Sequence, residues 1–202
     1  MSRKNWIYIG FFTVLVVCFY FVLMALVPDL AKKRTPPISY VRPFSFTNQY
    51  GQSFTEKDVA GKVYVAEYFF TTCKSICPVM NNNMRKVFDE FREEKSFLIV
   101  SHSSTPEIDS VPVLQKYADS MGVNQANWIF LTGRKDSLYQ TARISYAIDD
   151  PNNNVKDIKD DFLHTQFWAL VDKNGDVRKI YDGLKPSEVS LMMRDIKKLL
   201  KE

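Results

Sequence analysis

The chain has 202 residues, 27 basic and 23 acidic side chains, a net charge of +4 and 46% apolar residues. Beyond an apolar start, that length suffices for one domain with its own core. Acids and bases are interspersed, and no basic stripe with interleaved aromatics occurs, which argues against nucleic acid as a partner.

Residues 1–5 form a short basic head carrying Arg3 and Lys4. Trp6 to Val27 then runs without one charge. At about 1.5 Å per residue, a helix of that length crosses a hydrocarbon core of roughly 30 Å. No A-x-A pattern follows, so 6–27 reads as a retained transmembrane anchor rather than a cleaved signal. Cys18 within it reads as a small lipid-facing residue. Lys32, Lys33 and Arg34 follow the span, and a literal positive-inside count slightly favours the domain inside. A short basic head on a first span acts as a start signal, which favours head inside and domain outside. The expectation is a single-pass inner-membrane protein with its domain facing the periplasm. Residues 28–43, basic and holding Pro36-Pro37, read as an extended stalk. The domain is expected over 44–202.

Phe44 to Phe46 and Ser53-Phe54 flank Asn48-Gln49-Tyr50-Gly51, the pattern of a small hairpin. Lys62 to Phe70 is β-branched and aromatic, a buried strand. Val79 to Glu94 has the period of a helix, with Val79, Met80, Met84, Val87, Phe88 and Phe91 on one face. Ser96 to Val100 is a second buried strand, Val111 to Met121 a helix ended by Gly122, Trp128 to Leu131 a third strand and Asp136 to Tyr146 a third helix. Residues 149–161, rich in Asp and Asn, read as an exposed loop. Thr165 to Val171 and Val177 to Tyr181 alternate around a turn containing Asn174-Gly175, and Pro186 to Leu200 closes as an amphipathic helix. Strand–helix alternation followed by a hairpin and a last helix predicts a thioredoxin-like α/β domain, a mixed sheet flanked by helices and preceded by one transmembrane helix. A monomer is expected.

Chemistry concentrates in Cys73-Lys74-Ser75-Ile76-Cys77-Pro78, between a buried strand and a helix, where an α/β sheet exposes its functional edge. Residues four apart share one face of a helical turn, so two sulfurs there can form a disulfide or face one metal ion. The helix N-terminus and Lys74 both favour thiolate. Thiol–disulfide exchange enzymes of this fold hold a cis-proline at the start of the later strand; this chain has His164 there. Two soft thiolates and an imidazole suit copper, Cu(I) as a trigonal Cys₂His site in particular. Zinc would require a fourth ligand.

With these residues in view, the chain resembles the Sco/SenC family, copper-binding thioredoxin-like proteins associated with assembly of the copper centre of cytochrome oxidase. The resemblance covers roughly residues 44–200 and is carried by Phe69 to Pro78, Trp128 to Gly133, His164 and Leu170 to Gly175. The family usually places Pro and an acid between its cysteines, where this chain has Lys74 and Ser75. It usually has Asp before the histidine, where this chain has Leu163. Its Ser-x-Asp-Pro segment stands here as Ser103-Ser104-Thr105-Pro106. The resemblance implies a membrane-anchored copper chaperone, with copper on Cys73, Cys77 and His164 passed to the copper-accepting subunit of an oxidase. It is not an enzyme in the turnover sense. The alternative is a thiol–disulfide reductase with Cys73 and Cys77 as the redox pair and Cys73 attacking. His102 reads as a hydrogen-bonded loop histidine rather than a ligand. Asp160 and Asp161 read as a solvated loop, with a role orienting His164 as the sharper alternative.

Overall fold

The computed structural model describes residues 2–26, 36–123, 127–150, 158 and 161–202. The chain divides into two units, Met1–Pro36 and Pro37–Glu202. In the first, Arg3–Leu26 forms helix α1, long and apolar enough to cross a membrane and with no buried residue.

The second unit is an eight-stranded sheet with helices on both faces. Its elements are β1 (Ser39–Tyr40), β2 (Ser45–Asn48), β3 (Ser53–Thr55), α2 (Glu56–Val59), β4 (Val63–Phe69), α3 (Cys77–Phe91), β5 (Phe97–Ser103), α4 (Val111–Ser120), β6 (Trp128–Thr132), α5 (Lys135–Gln140), β7 (Phe167–Val171), β8 (Asp176–Asp182) and α6 (Pro186–Lys201). A single π-turn, Thr141–Ser145, continues α5. Strand order is β1-β8-β7-β4-β5-β6-β2-β3. Among the described strands, only β4–β5 and β5–β6 run parallel. The segment read as a stalk thus contributes an edge strand, Ser39 and Tyr40 pairing with Val177 and Asp176 of β8.

β4 is the central strand, and its alternation builds two cores. Val63, Val65 and Phe69 face a layer with Met80, Met84 and Phe88 of α3, Leu114 of α4 and Met192 and Ile196 of α6. Tyr64, Ala66 and Tyr68 face Phe44, Phe46, Leu138, Tyr139 and Tyr146. β5 runs three residues past its expected end, through Ser101, His102 and Ser103. These polar residues fit a buried strand because each side chain has its own accommodation. Ser101 Oγ donates to Glu67 Oε1 at 2.6 Å and Ser103 Oγ to Asp109 Oδ2 at 2.6 Å. His102 is wholly buried among aromatic rings, stacked on Tyr68 with centroids 4.9 Å apart. His102 is therefore a core histidine on a strand, not a loop histidine; its polar flanks concealed the strand's length. Most of the loop expected over 149–161 lies outside the described residues.

Candidate metal centre

Cys73 and Cys77 sit where β4 ends and α3 begins. Chain polarity places them at the carboxyl edge of the central parallel strands, where β4 and β5 leave the sheet together in register, Phe69 opposite Ser103. Helix α3 starts at Cys77, two residues earlier than its apolar period announces, with Pro78 in its first turn, where a missing N–H costs nothing. Ile76 at the helix entry offers no side-chain cap. The sulfur of Cys73 lies 3.8 Å from Ser75 Oγ, in the turn that leads into this uncapped helix N-terminus.

The two thiols are electrostatically unlike. Burial alone would raise Cys73, but the hydrogen bond from the Cys77 side chain and those from the Cys77 and Ser75 backbones outweigh it and hold the thiol below its ordinary value. Burial pushes Cys77 up to about 12, and the Cys73 thiol and the Glu67 carboxylate add to the rise. Cys73 is half-buried and Cys77 is 4% exposed. Lys74 is exposed, and the Cys77 thiol together with the Cys77 and Ser75 backbones accounts for the thiolate character of Cys73. Both cysteines are free thiols.

His164 lies on the strap between the described Asp161 and β7. Along it side chains alternate, with Asp161, Leu163 and Thr165 buried and Phe162 and His164 exposed. The inward residues are each fastened. Arg143 of the π-turn pairs with Asp161 at 2.8 Å and with Asp149 at 2.7 Å. Leu163 N–H donates to Tyr139 Oη at 3.1 Å, and Thr165 Oγ1 to the Ile148 carbonyl at 3.0 Å. Asp161 is thus an ion-paired anchor of the strap, 3% exposed, rather than a solvated loop residue; the partner Arg143 was invisible in the local sequence. Asp160 lies outside the described residues.

The structure brings Cys73 and Cys77 together and places His164 beside their loop without joining them. Phe70 is the link. Its carbonyl accepts the Cys73 N–H at 3.2 Å, and its ring centroid lies 5.9 Å from the His164 ring and 5.4 Å from Phe162. His164 stacks on Phe162, with planes 15° apart. Among the described residues no three His, Cys, Asp or Glu side chains converge as a metal site. The donor types nevertheless suit a soft cation, two thiols at a positively polarised helix end and one exposed imidazole near Phe70.

Residues 32–201 match the SCO1/SenC family profile. This chain belongs to the SCO1/SenC family. It is 31% identical over 165 residues to the SCO1 protein homolog of Bacillus subtilis (strain 168), spanning 80% of this chain and 83% of that protein. Its fold is the mixed, thioredoxin-like Sco fold. BsSco, a member of the Sco family of cytochrome c oxidase assembly proteins in which a disulfide switch has been identified, superposes with a TM-score of 0.68 at 28% identity, covering 83% of this chain and 97% of BsSco. ScoI of Arabidopsis thaliana with copper bound shares the fold at 23% identity, TM-score 0.62, over 81% of this chain and 99% of that structure. Sequence reasoning missed Asp109, Tyr139 and Arg143, which hold the two arms of this candidate site. Only the departure at Ser103 to Pro106 drew notice to that region.

Proposed function

We propose that the protein is a membrane-anchored copper chaperone that supplies the copper centre of a respiratory cytochrome oxidase, with copper on Cys73, Cys77 and His164. Helix α1 would be its single span, in the inner membrane, with residues 37–202 on the periplasmic side. The observation that carries this reading is the sulfur pair at the start of α3 with an exposed imidazole whose ring lies 5.9 Å from that of Phe70, three residues before Cys73. Two soft sulfur ligands suit Cu(I), and the imidazole extends the set toward Cu(II). Family membership supports the client class; B. subtilis SCO1 homolog and BsSco are the relevant relatives.

A second reading rests on the asymmetry of the two thiols. Cys73, the more accessible of the two and favoured as thiolate, would attack a client disulfide and expel one client thiolate. Cys77 would then attack Cys73, closing the Cys73–Cys77 disulfide and releasing the second client thiolate, so that two electrons pass to the client. A dithiol reductant would restore the pair. The test is to titrate the reduced full chain in detergent with Cu(I) and Cu(II), and to measure its rate of reducing a mixed disulfide. One copper per chain with thiolate-to-Cu(II) absorption, and slow reduction, is the result expected. Rapid reduction without stoichiometric copper would replace the chaperone reading by the reductase.

A further inference from the structure

One short turn, Ser103–Asp109, is bonded to both arms of the candidate centre. On the sulfur side, the wholly buried Asp109 carboxylate accepts four donors. These are Thr71 N–H at 3.3 Å and Thr71 Oγ1 at 2.5 Å, Ser103 Oγ at 2.6 Å and Thr105 Oγ1 at 3.1 Å. Thr71 stands two residues before Cys73, so this carboxylate fixes the loop that delivers the outer sulfur. Ser104 N–H adds a bond to the Phe69 carbonyl at 2.7 Å. On the imidazole side, the Tyr139 hydroxyl donates to the Ser104 carbonyl at 2.8 Å and accepts Leu163 N–H at 3.1 Å. Leu163 immediately precedes His164. The Tyr139 hydroxyl therefore spends its donor on the turn and an acceptor site on the histidine strap.

We propose that the turn Ser103–Asp109 sets the spacing between the sulfur arm and the imidazole arm, with Asp109 and Tyr139 as its positioning residues. The inference rests on the ligand set given above and adds what holds it. Buried hydrogen bonds of this kind are directional, and leaving one partner unpaired costs far more than the bond's net gain. The turn thus transmits position, whereas an exposed loop would not. Asp109 fixes the loop before the sulfurs, and Tyr139 ties the turn to the strap that carries the histidine.

The experiment compares the full chain with Asp109→Asn and Tyr139→Phe after circular dichroism has confirmed folding. The first readout needs no copper. The reduced protein is given oxidised glutathione, which forms a mixed disulfide on Cys73 and releases one glutathione; Cys77 then displaces the second as the intramolecular disulfide closes. Asp109→Asn should slow this closure at least threefold, because Cys73 is no longer held over Cys77, and Tyr139→Phe should leave it unchanged. The second readout is the thiolate-to-Cu(II) absorption with the Cu(II) affinity. Tyr139→Phe should weaken Cu(II) about tenfold and displace the band while Cu(I) affinity holds. Should Asp109→Asn fail to fold, Thr71→Val removes one donor alone and should slow closure, with Thr71→Ser restoring the parent rate. Parent-like closure in the Asp109 or Thr71→Val variant, or parent-like Cu(II) absorption in Tyr139→Phe, would overturn the proposal. A parent that binds no copper would instead remove the chaperone reading, while the closure rates still decide the role of Asp109.

Discussion

His102 Nδ1 lies 3.4 Å from the Glu67 carbonyl oxygen, and the two side chains point to opposite faces of the sheet. Both are fully buried, with 0% and 1% exposure. Burial lowers His102 to about 4, and burial raises Glu67 to about 7 despite the hydrogen bond from Ser101. Their effects on stability oppose each other. The unfolded chain protonates His102 near 6.5 while the folded chain refuses the proton, so stability is lost as pH falls from about 6.5 towards 4. Glu67 holds its proton longer when folded, so its contribution is present below about 4.5 and lost as pH rises to about 7. Glu67→Gln should therefore expose the histidine. The difference between variant and parent in urea unfolding should slope by roughly 1 kcal/mol per pH unit between pH 4.5 and 7. A flat difference would show that Glu67 is not a buried acid with a raised pKa.

The sulfur pair should react in order. Cys73, lowered by hydrogen bonds from the Cys77 thiol and from the Cys77 and Ser75 backbones, should take iodoacetamide at neutral pH at least tenfold faster than Cys77, raised by burial. Peptide mapping after a short pulse reads both sites, and also Cys18 in α1. Air oxidation should link Cys73 to Cys77 and leave Cys18 out of the bridge. Equal labelling of the pair would remove the asymmetry on which the reductase reading depends.

His164→Ala separates cargo from electrons. If copper rests on the three residues, Cu(I) binding should weaken and survive on two thiolates, and Cu(II) absorption should collapse, since the harder ion depends more on imidazole. Disulfide exchange should change less than about twofold, because the hydrogen bonds that lower Cys73 do not involve the histidine. Intact Cu(II) absorption in the variant would exclude His164 as a ligand. His102→Ala should leave copper binding alone while unfolding more easily, its ring being wholly inside the second core.

Gly183 should tolerate no side chain. A Cβ there would come within 3.0 Å of three atoms of the buried Trp168 indole, and the Gly183 carbonyl accepts Asn83 Nδ2 at 2.9 Å. Gly183→Ala should cost about 2–3 kcal/mol by overpacking, measured as a fall in the unfolding midpoint of residues 37–202. A loss below about 0.5 kcal/mol would mean that Trp168 moves aside.

The sequence displayed whatever repeats locally. The aromatic and β-branched run before Phe70, the period of α3 and the Asn-Gly turn each announced their elements, and Gly175 has the positive φ of 83° that such a turn requires. Cys73 and Cys77 were legible because four residues of spacing is itself a geometry. What stayed hidden depends on contacts across the chain. Ser101 to Ser103 looked like the end of a strand until Glu67 and Asp109 supplied partners for the hydroxyls. Arg143 acquired meaning only when Asp149 and Asp161 met it. Tyr139 looked like any apolar helix residue, because its hydroxyl acts on two segments remote in sequence.

The separate origin of the two arms has a thermodynamic consequence for metal binding. Unfolding leaves Cys73 and Cys77 four positions apart, so a denatured chain keeps a local dithiol able to grip Cu(I). It does not keep His164 nearby. A ligand stabilises a fold only by its preference for the native over the unfolded state. On the chaperone reading, Cu(I) should therefore raise the melting temperature far less than its affinity suggests, and Cu(II) proportionately more. Copper would report on whether the strap is docked more faithfully than on whether the chain is folded.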